Sequence, residues 1–590
     1  MASIITTAAL VYALYLLSYL CRSILSLVRN VRIAKQIGIP VVWSPVSSFN
    51  PLWIITCKRV APFFQRLPFG LGDWTRYSTL DWTWIDRTTG GTESTVHKQY
   101  GFTFVNATPR DVEIHTCDHH VSDQILRKYT NDFPKISHYA ILDVLGTSLV
   151  SSDGDDWTRH RKATVATLSD RTNGLVWAEA LRQTRQMVQY YEAVSQGRIL
   201  DPIEDIRELY LHVFTRVCYG VAYDFKQQEQ IPAGHSLSYK TCLYTSIRGI
   251  LMLRLIPWSI MRLSNLPLPS KVRTFRQAII EMQQYLDEMI TTSQSLISGD
   301  NTRKSQNLLS FMVERSKESQ YRPKTDVWLN ESEIRGNLFT YALGGHESSA
   351  HTFSFALYLL SAYPETQDWL IQEIDQVIAS DASWMSEEAF MGLYSRLPRC
   401  QAVILETLRL YPSVTVVPKC TTSAAVTLSI NGSNRRIPPN TNVFVNMPSI
   451  QVRESIWGSG AGLWNPGRWI ARPTADDGQK HERVQPPPDG AFLAWSEGKR
   501  ACPGRRFSQV GLVAALAAMF SSHRLEVMPN EGESSAEARM RANAAVNSSY
   551  AVMTVHMYDP YSVKIRLVKR ENGSGHEAGA GKLETDNLIN

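Results

Sequence analysis

The chain is predicted to fold as a mainly α-helical protein with a smaller β-rich part, set behind an N-terminal transmembrane helix. Three observations carry this reading. The first 21 residues hold no charged side chain, and Ile4 to Leu20 is almost continuously apolar. A helix-starting signal at Asn330, with Glu333 three residues on, opens a segment of about thirty residues that Tyr363-Pro364 closes. Strand-like runs gather in Tyr100–Asn106, Thr427–Val445 and Ala551–Val568.

With Cys21 to Val28 added, and interrupted by Arg22, the apolar run reaches about 25 residues, enough to span a hydrocarbon core of about 30 Å. Tyr12, Tyr15 and Tyr19 share one helix face, and Tyr19 is placed to anchor at the interface. A cleaved signal peptide would carry positive charge before the run and small residues at a cleavage site, and neither is evident. Arg22, Arg29, Arg32 and Lys35 follow it instead, so residues 1–28 read as an anchor with the bulk of the chain cytoplasmic. Gly38, Pro40, Pro45 and Pro51 make residues 29–94 a stiff linker and the start of the main domain, which occupies residues 95–570. The Gly-rich, polar residues 571–590 read as a disordered tail. Ile250–Trp258 is too short to span and is either core or an interfacial loop. A net charge of +6 with no basic stripe interleaved with aromatics argues against nucleic acid as a partner. Eight cysteines without a CxxC pair suit free thiols on a reducing face. The cluster His115, Cys117, Asp118, His119 and His120 matches no standard zinc spacing, and no metal is assigned to it.

Four motifs carry chemistry. Trp157 and Arg161 are four apart, which on a helix lets an indole N–H and a guanidinium reach toward one anion. Gly344 and Gly345 each cost a helix interior about 1 kcal/mol, a cost kept where something approaches the backbone closely. Gly344 shares a face with Ser348, and Glu347-Ser348 is an acid–alcohol pair; the bland alternative is a Gly-Ser kink. Glu406 and Arg409 lie three apart in the apolar run Ala402–Leu410, so the pair is predicted buried and in need of a further partner, for which Arg468 in Asn465-Pro-Gly-Arg-Trp469 fits. In Trp495–Gly504, Gly498 permits a tight turn, Cys502 sits at its exit, and Pro503 is placed to start a helix whose N-terminus favours a thiolate. The bland alternative there is a buried, inert cysteine.

Trp495-x-x-Gly498-x-Arg500-x-Cys502-x-Gly504 resembles the haem-binding signature Phe-x-x-Gly-x-Arg-x-Cys-x-Gly of the cytochrome P450 superfamily, with Trp where Phe is usual. The other motifs occur in that family's order. Gly467 replaces an acidic residue before Arg468, and Ser348 replaces the usual Thr. The resemblance covers about residues 95 to 570. It implies one large catalytic domain with the cytochrome P450 fold, holding haem b (iron protoporphyrin IX) with Cys502 as the axial iron ligand. Arg500, Trp157, Arg161 and Lys419 would meet propionates, Trp495 would pack under the porphyrin, and Gly498 would shape the loop. Glu406, Arg409 and Arg468 would form a structural network behind it. Gly344 and Gly345 would make room for haem and dioxygen, and Glu347 with Ser348 would pass protons through water. Serine's freer χ1 would loosen coupling of electrons to product.

The implied activity is that of a microsomal, fungal-style haem-thiolate monooxygenase in the endoplasmic reticulum membrane. Electrons would come from NADPH through a separate cytochrome P450 reductase, with cytochrome b5 as an additional donor. Lys499, Arg505 and Arg506, extended by Arg159 and Lys162, would face an acidic donor, though each alone is as well read as a solvated basic residue. The substrate would be a hydrophobic small molecule of specialised metabolism, such as a terpenoid or polyketide. Val414 to Val417, with Phe339, Tyr341 and Ala342, would line its pocket. The alternatives are a haem-thiolate isomerase or dehydratase needing no reductase, and a non-catalytic haem-binding protein.

Overall fold

The computed structural model describes residues 2–570 apart from 86, 88–93, 228–229, 264–266, 300–306, 322–327, 380–382, 472–480 and 552–553. The tail expected at 571–590 lies outside the described residues. A single helix, Ala2–Ile37, opens the chain, and its Leu10–Ile37 part is long and apolar enough to cross a membrane. Leu10, Tyr12, Tyr15 and Leu25 are exposed on it. From Ser26 onward it docks on the main domain. Ser26 Oγ donates to the Pro109 carbonyl at 2.6 Å, Asn30 Nδ2 donates to that of Thr108 at 2.8 Å, and Ala34 and Ile37 are buried. The helix therefore runs past residue 28 into what reads in sequence as linker. Nothing between 29 and 37 breaks it, and Val31, Ala34 and Ile37 form an apolar stripe that the adjoining sheet covers.

That sheet has five strands: β1 (Val41–Trp43), β2 (Thr103–Ala107), β3 (Val112–Thr116), β4 (Val416–Cys420) and, after the hairpin β5 (Val426–Ile430)–β6 (Ser433–Ile437), β7 (Asn442–Asn446). The order is β1-β2-β3-β7-β4. β2 and β3 pair antiparallel with Val105 opposite Ile114, whereas β7 lies parallel to β3 and antiparallel to β4. Two smaller ladders close the C-terminal part, His523–Val527 with Ile565–Lys569 and Ser549–Ala551 with Val555–Met557.

The rest of the described domain is mostly helical. Its axis is Glu331–Ala362, 32 residues long, with the Asn330–Glu333 capping box formed in both directions. Its second half is buried almost all round: Phe353, Phe355, Leu357, Tyr358 and Leu360 are all in the core. Asn337 ties this helix to its neighbours, accepting from the Leu149 N–H at 2.9 Å and lying 2.8 Å from His160 Nδ1 of the Gly154–Val165 helix. Behind the cysteine loop, the Arg505–Phe520 helix packs on Asp170–Ser195, where Gly511 approaches Val176 closely enough that a methyl group would press on it.

Candidate active site

The cysteine loop is held by backbone geometry. Ser496 N–H donates to Leu493 O at 2.7 Å, and Cys502 N–H donates back to Trp495 O at 2.8 Å. Gly498 sits at φ +68°, and a Cβ there would lie 2.0 Å from the Leu126 carbonyl oxygen, so only glycine fits. Trp495 is buried, its indole N–H donating to Ser508 Oγ at 3.0 Å. One local expectation is corrected. The helix starts at Arg505 with Gly504 as its cap, so Pro503 belongs to the preceding turn rather than to the first helical turn. The sulfur thus lies further from the helix than the sequence suggests. Burial pushes the Cys502 thiol up, and the Gly504 N–H, Arg161 and Arg505, which favour the thiolate, do not outweigh it. Cys502 is nevertheless an exposed residue.

Glu406, Arg409 and Arg468 meet. Arg409 clasps the Glu406 carboxylate through Nε and Nη2, both at 2.8 Å, and both residues are fully buried. Arg468 Nε donates to Glu406 Oε1 at 2.8 Å, and the Asn465 N–H and Trp469 indole add bonds of 2.9 Å each. Further donors of the two arginines go to carbonyls of the loop Gly458–Gly462, Arg409 to Ala461 O at 2.7 Å and Arg468 to Gly460 O at 3.1 Å.

On the long helix, Gly344 is exposed and a Cβ there would meet nothing within 4 Å, whereas one on Gly345 would come within 2.7 Å of the Phe214 ring. Ser348 Oγ donates to Gly344 O at 2.7 Å. Tyr341, three residues before Gly344, donates to Thr164 Oγ1 at 2.9 Å and lies within electrostatic reach of both Cys502 and Arg161. Burial alone would raise the Glu347 carboxyl, but His351 and Arg207 hold it down to about 2. Of the expected substrate-lining residues, Phe339 and Ala342 are packed in the core, while Val414 is exposed.

A cationic cluster borders the cysteine loop. Arg500 pairs with Asp153, donates to Ser152 O at 3.0 Å, and stacks over the Trp157 ring at 4.0 Å; Arg161 faces the same ring at 5.4 Å. Lys419, on β4, is buried, and burial with the nearby Arg500 brings its ammonium down to about 8. Lys135, which sequence reasoning missed, joins it. Burial, Arg500 and Lys419 bring this ammonium down to about 7 while it donates to the Leu149 carbonyl at 3.1 Å. Lys135 stands in no recognisable motif, and only tertiary structure brings it here. Arg159 does not add to an open basic face, because Glu333 takes it bidentately at 2.6 and 2.8 Å. Of the residues 115–120, His115 stacks between Phe104 and Phe444, Asp118 caps a helix and Cys117 accepts from Arg453 at 2.9 Å, while the His119 and His120 rings lie against each other with centroids 3.9 Å apart.

These features fit haem. An exposed cysteine on a tight loop, a bare glycine on a helix whose Tyr341 lies within electrostatic reach of that cysteine, and cations (Arg500, Arg161, Lys419 and Lys135) that outnumber the Asp153 carboxylate beside them match an iron, a flat macrocycle and two propionates in turn.

Residues 87–552 match the cytochrome P450 family. A cytochrome P450 monooxygenase of Arthrobotrys oligospora is 25% identical over 583 residues, covering 92% of this chain and 95% of its own. The phomenoic acid biosynthesis cluster cytochrome P450 monooxygenase of Leptosphaeria maculans is 25% identical, covering 95% and 99%. Cytochrome P450 monooxygenase 124 of Postia placenta is 30% identical over 67% of this chain and 72% of its own. The crystal structure of the cytochrome P450DA heme domain superposes with a TM-score of 0.63 at 17% identity, over 84% of this chain and 96% of that one. A match of that extent to the family, together with the same fold, means that the chain belongs to the cytochrome P450 family, among its monooxygenases.

Proposed function

We propose that this protein inserts one oxygen atom of O2 into a hydrophobic small molecule of specialised metabolism, a terpenoid or polyketide-like intermediate, with electrons from NADPH delivered by a separate reductase. Cytochrome b5 is a second donor in this reading, and the endoplasmic reticulum membrane is its site, reached through the Ala2–Ile37 helix. The relative named for the phomenoic acid cluster supports the metabolic setting. The observation that carries the chemistry is the exposed Cys502, within electrostatic reach of Tyr341 on the long helix that carries Gly344 and Ser348.

Cys502 would hold the iron of haem b, with Arg500, Lys419, Lys135, Arg161 and Trp157 toward the propionates and Trp495 beneath the ring. When bound, that group supplies dioxygen activation with a thiolate donor that favours O–O cleavage. The chain's own part is positional and protonic. Gly344 keeps the helix face clear, Ser348 presents a hydroxyl one turn on, and Glu347 carries negative charge at neutral pH beside it. The Glu406–Arg409–Arg468 network, which holds the carbonyls of Gly460 and Ala461, would serve as the structural support behind the cysteine loop.

A dithionite-reduced carbon monoxide difference spectrum tests this. The expected result is the strongly red-shifted Soret band in wild type and its loss in Cys502→Ala. Haem bound without that band in wild type would overturn thiolate ligation. Turnover of a hydroperoxide with no NADPH consumed would replace the monooxygenase by an isomerase or dehydratase.

A further inference from the structure

Behind Glu347 lies a polar centre with no part in the proposal so far. Glu347 Oε1 accepts from Arg207 Nη2 at 3.1 Å and lies 3.7 Å from His351 Nε2, one helical turn on. The His351 ring meets that of His556 edge-on, with centroids 4.3 Å apart. His556 comes from the Ser549–Ala551/Val555–Met557 hairpin, and its Nε2 is 2.9 Å from Thr554 Oγ1. Arg207, His351, His556 and Ser354 line a cavity of about 50 Å³. His351 Nε2 is buried and has no hydrogen-bond partner among the described residues. A cavity of that size, lined also by Ile203, Ala350, Phe355, Met557 and Pro560, has room for a water or two, and water within reach of His351 Nε2 would bridge its 3.7 Å gap to Glu347.

We propose that His351 and His556 are positioning residues for Glu347: through water in this cavity they link its carboxylate to solvent and renew the proton it passes on. This rests on the monooxygenase reading of the site. Each proton leaving Glu347 is replaced by one from bulk water. One ring nitrogen of a neutral histidine gives a proton up as the other takes one, which leaves the ring neutral in its other tautomer, and a second exchange with water resets it before the next transfer. The groups facing Glu347 suit that traffic. Arg207, itself paired with Glu204 at 2.6 Å, keeps the carboxylate charged between transfers. Tyr244 comes from the Tyr239–Gly249 helix, and His346 and His351 from its own, while Arg248 of the former helix acts on His556. Burial and the neighbouring His351 bring His556 down to about 4, so it is neutral at physiological pH. A packing role for the two rings would leave Glu347 indifferent to them, and that difference is measurable.

The experiment uses the full-length holoenzyme with reductase, NADPH and O2 and no added organic substrate. It reads hydrogen peroxide released per NADPH consumed in wild type, His351→Leu, His556→Leu, Glu347→Gln and the His351→Leu/Glu347→Gln double variant. Each single variant is expected to raise the peroxide fraction about twofold or more, and His351→Leu to add nothing once Glu347 is Gln. His351→Gln, which keeps a polar terminus, restores part of the loss. Two further readouts do not depend on turnover. A crystal structure shows water within hydrogen-bond distance of His351 Nε2. Histidine-labelled NMR of the reduced, CO-bound protein shows His556 titrating higher when His351 is Leu. An unchanged peroxide fraction, additive effects in the double variant, or a dry cavity overturns the proposal. A wild type that consumes no NADPH overturns the monooxygenase reading instead, while water and titration still report on the cavity. Should His351→Leu lose its CO band, His556→Gln, at the hairpin end of the pair, takes its place.

Discussion

Glu406 concentrates more hydrogen bonds than any surface carboxylate would need, because it lies fully buried between two guanidinium groups. Replacing it by Gln keeps the shape but leaves Arg409 buried without a counter-charge. The expected loss is about 3–5 kcal/mol, read as a lower urea midpoint together with a shrunken CO band. Glu347 makes a pH-dependent contribution. Its carboxyl is held down to about 2 from the ordinary 4.5, so the stability it brings is fully present above about pH 4.5 and lost as pH falls toward 2. The size is about 3 kcal/mol at neutral pH, and the stability gap between wild type and Glu347→Gln should narrow steadily from pH 5 to pH 3 in urea titrations. A gap that stays constant over that range would mean that Arg207 and His351 do not set this carboxyl. The motif residues were legible in sequence because glycine spacing, an i,i+3 charge pair and a cysteine before a helix are constraints within a few residues of chain. Lys135 and His556 were not, since what they do depends on partners far away in sequence, Lys419 and His351, and a lone lysine or histidine carries no local pattern.

The two glycines of the site act through opposite circumstances. Gly498 is compelled by its turn and by Leu126 O, so Gly498→Ala should displace the cysteine loop and lose bound haem and CO band together. Gly344 faces open space, so Gly344→Ala should melt within a degree or two of wild type in the haem-free state and yet bind haem and CO more weakly. Equal damage to the haem-free stability of both variants would contradict this division. At this scale the long helix was readable from its caps, Asn330 and Pro364, because capping chemistry is local. β3 was not readable. All five of its residues are buried, so no alternation marks it, and Glu113 and His115 interrupt its apolar character. Its identity as a strand comes from β2 on one side and β7 on the other.

At the scale of the whole molecule, the first helix joins what the sequence divides. Residues 1–28 read as an anchor and 29–94 as linker, yet the helix is continuous to Ile37 and its last turns are packed on β2 and β3. The boundary was obscured because Arg29, Arg32 and Lys35 are charged while the alternating Val31, Ala34 and Ile37 are not, and only the sheet shows which set faces inward. Removing residues 1–24 should leave Ser26 and Asn30 on the Thr108–Pro109 turn, giving a protein that salt washes from membranes and that keeps its CO band. Loss of the band would mean the exposed half of the helix supports the fold. Because no glycine, proline or loose joint separates the exposed turns from the docked ones, the domain in a bilayer is a flag nailed to its pole. In the membrane-anchored reading it would tilt and turn only as the pole does, so that a donor in the same membrane would meet it at one height.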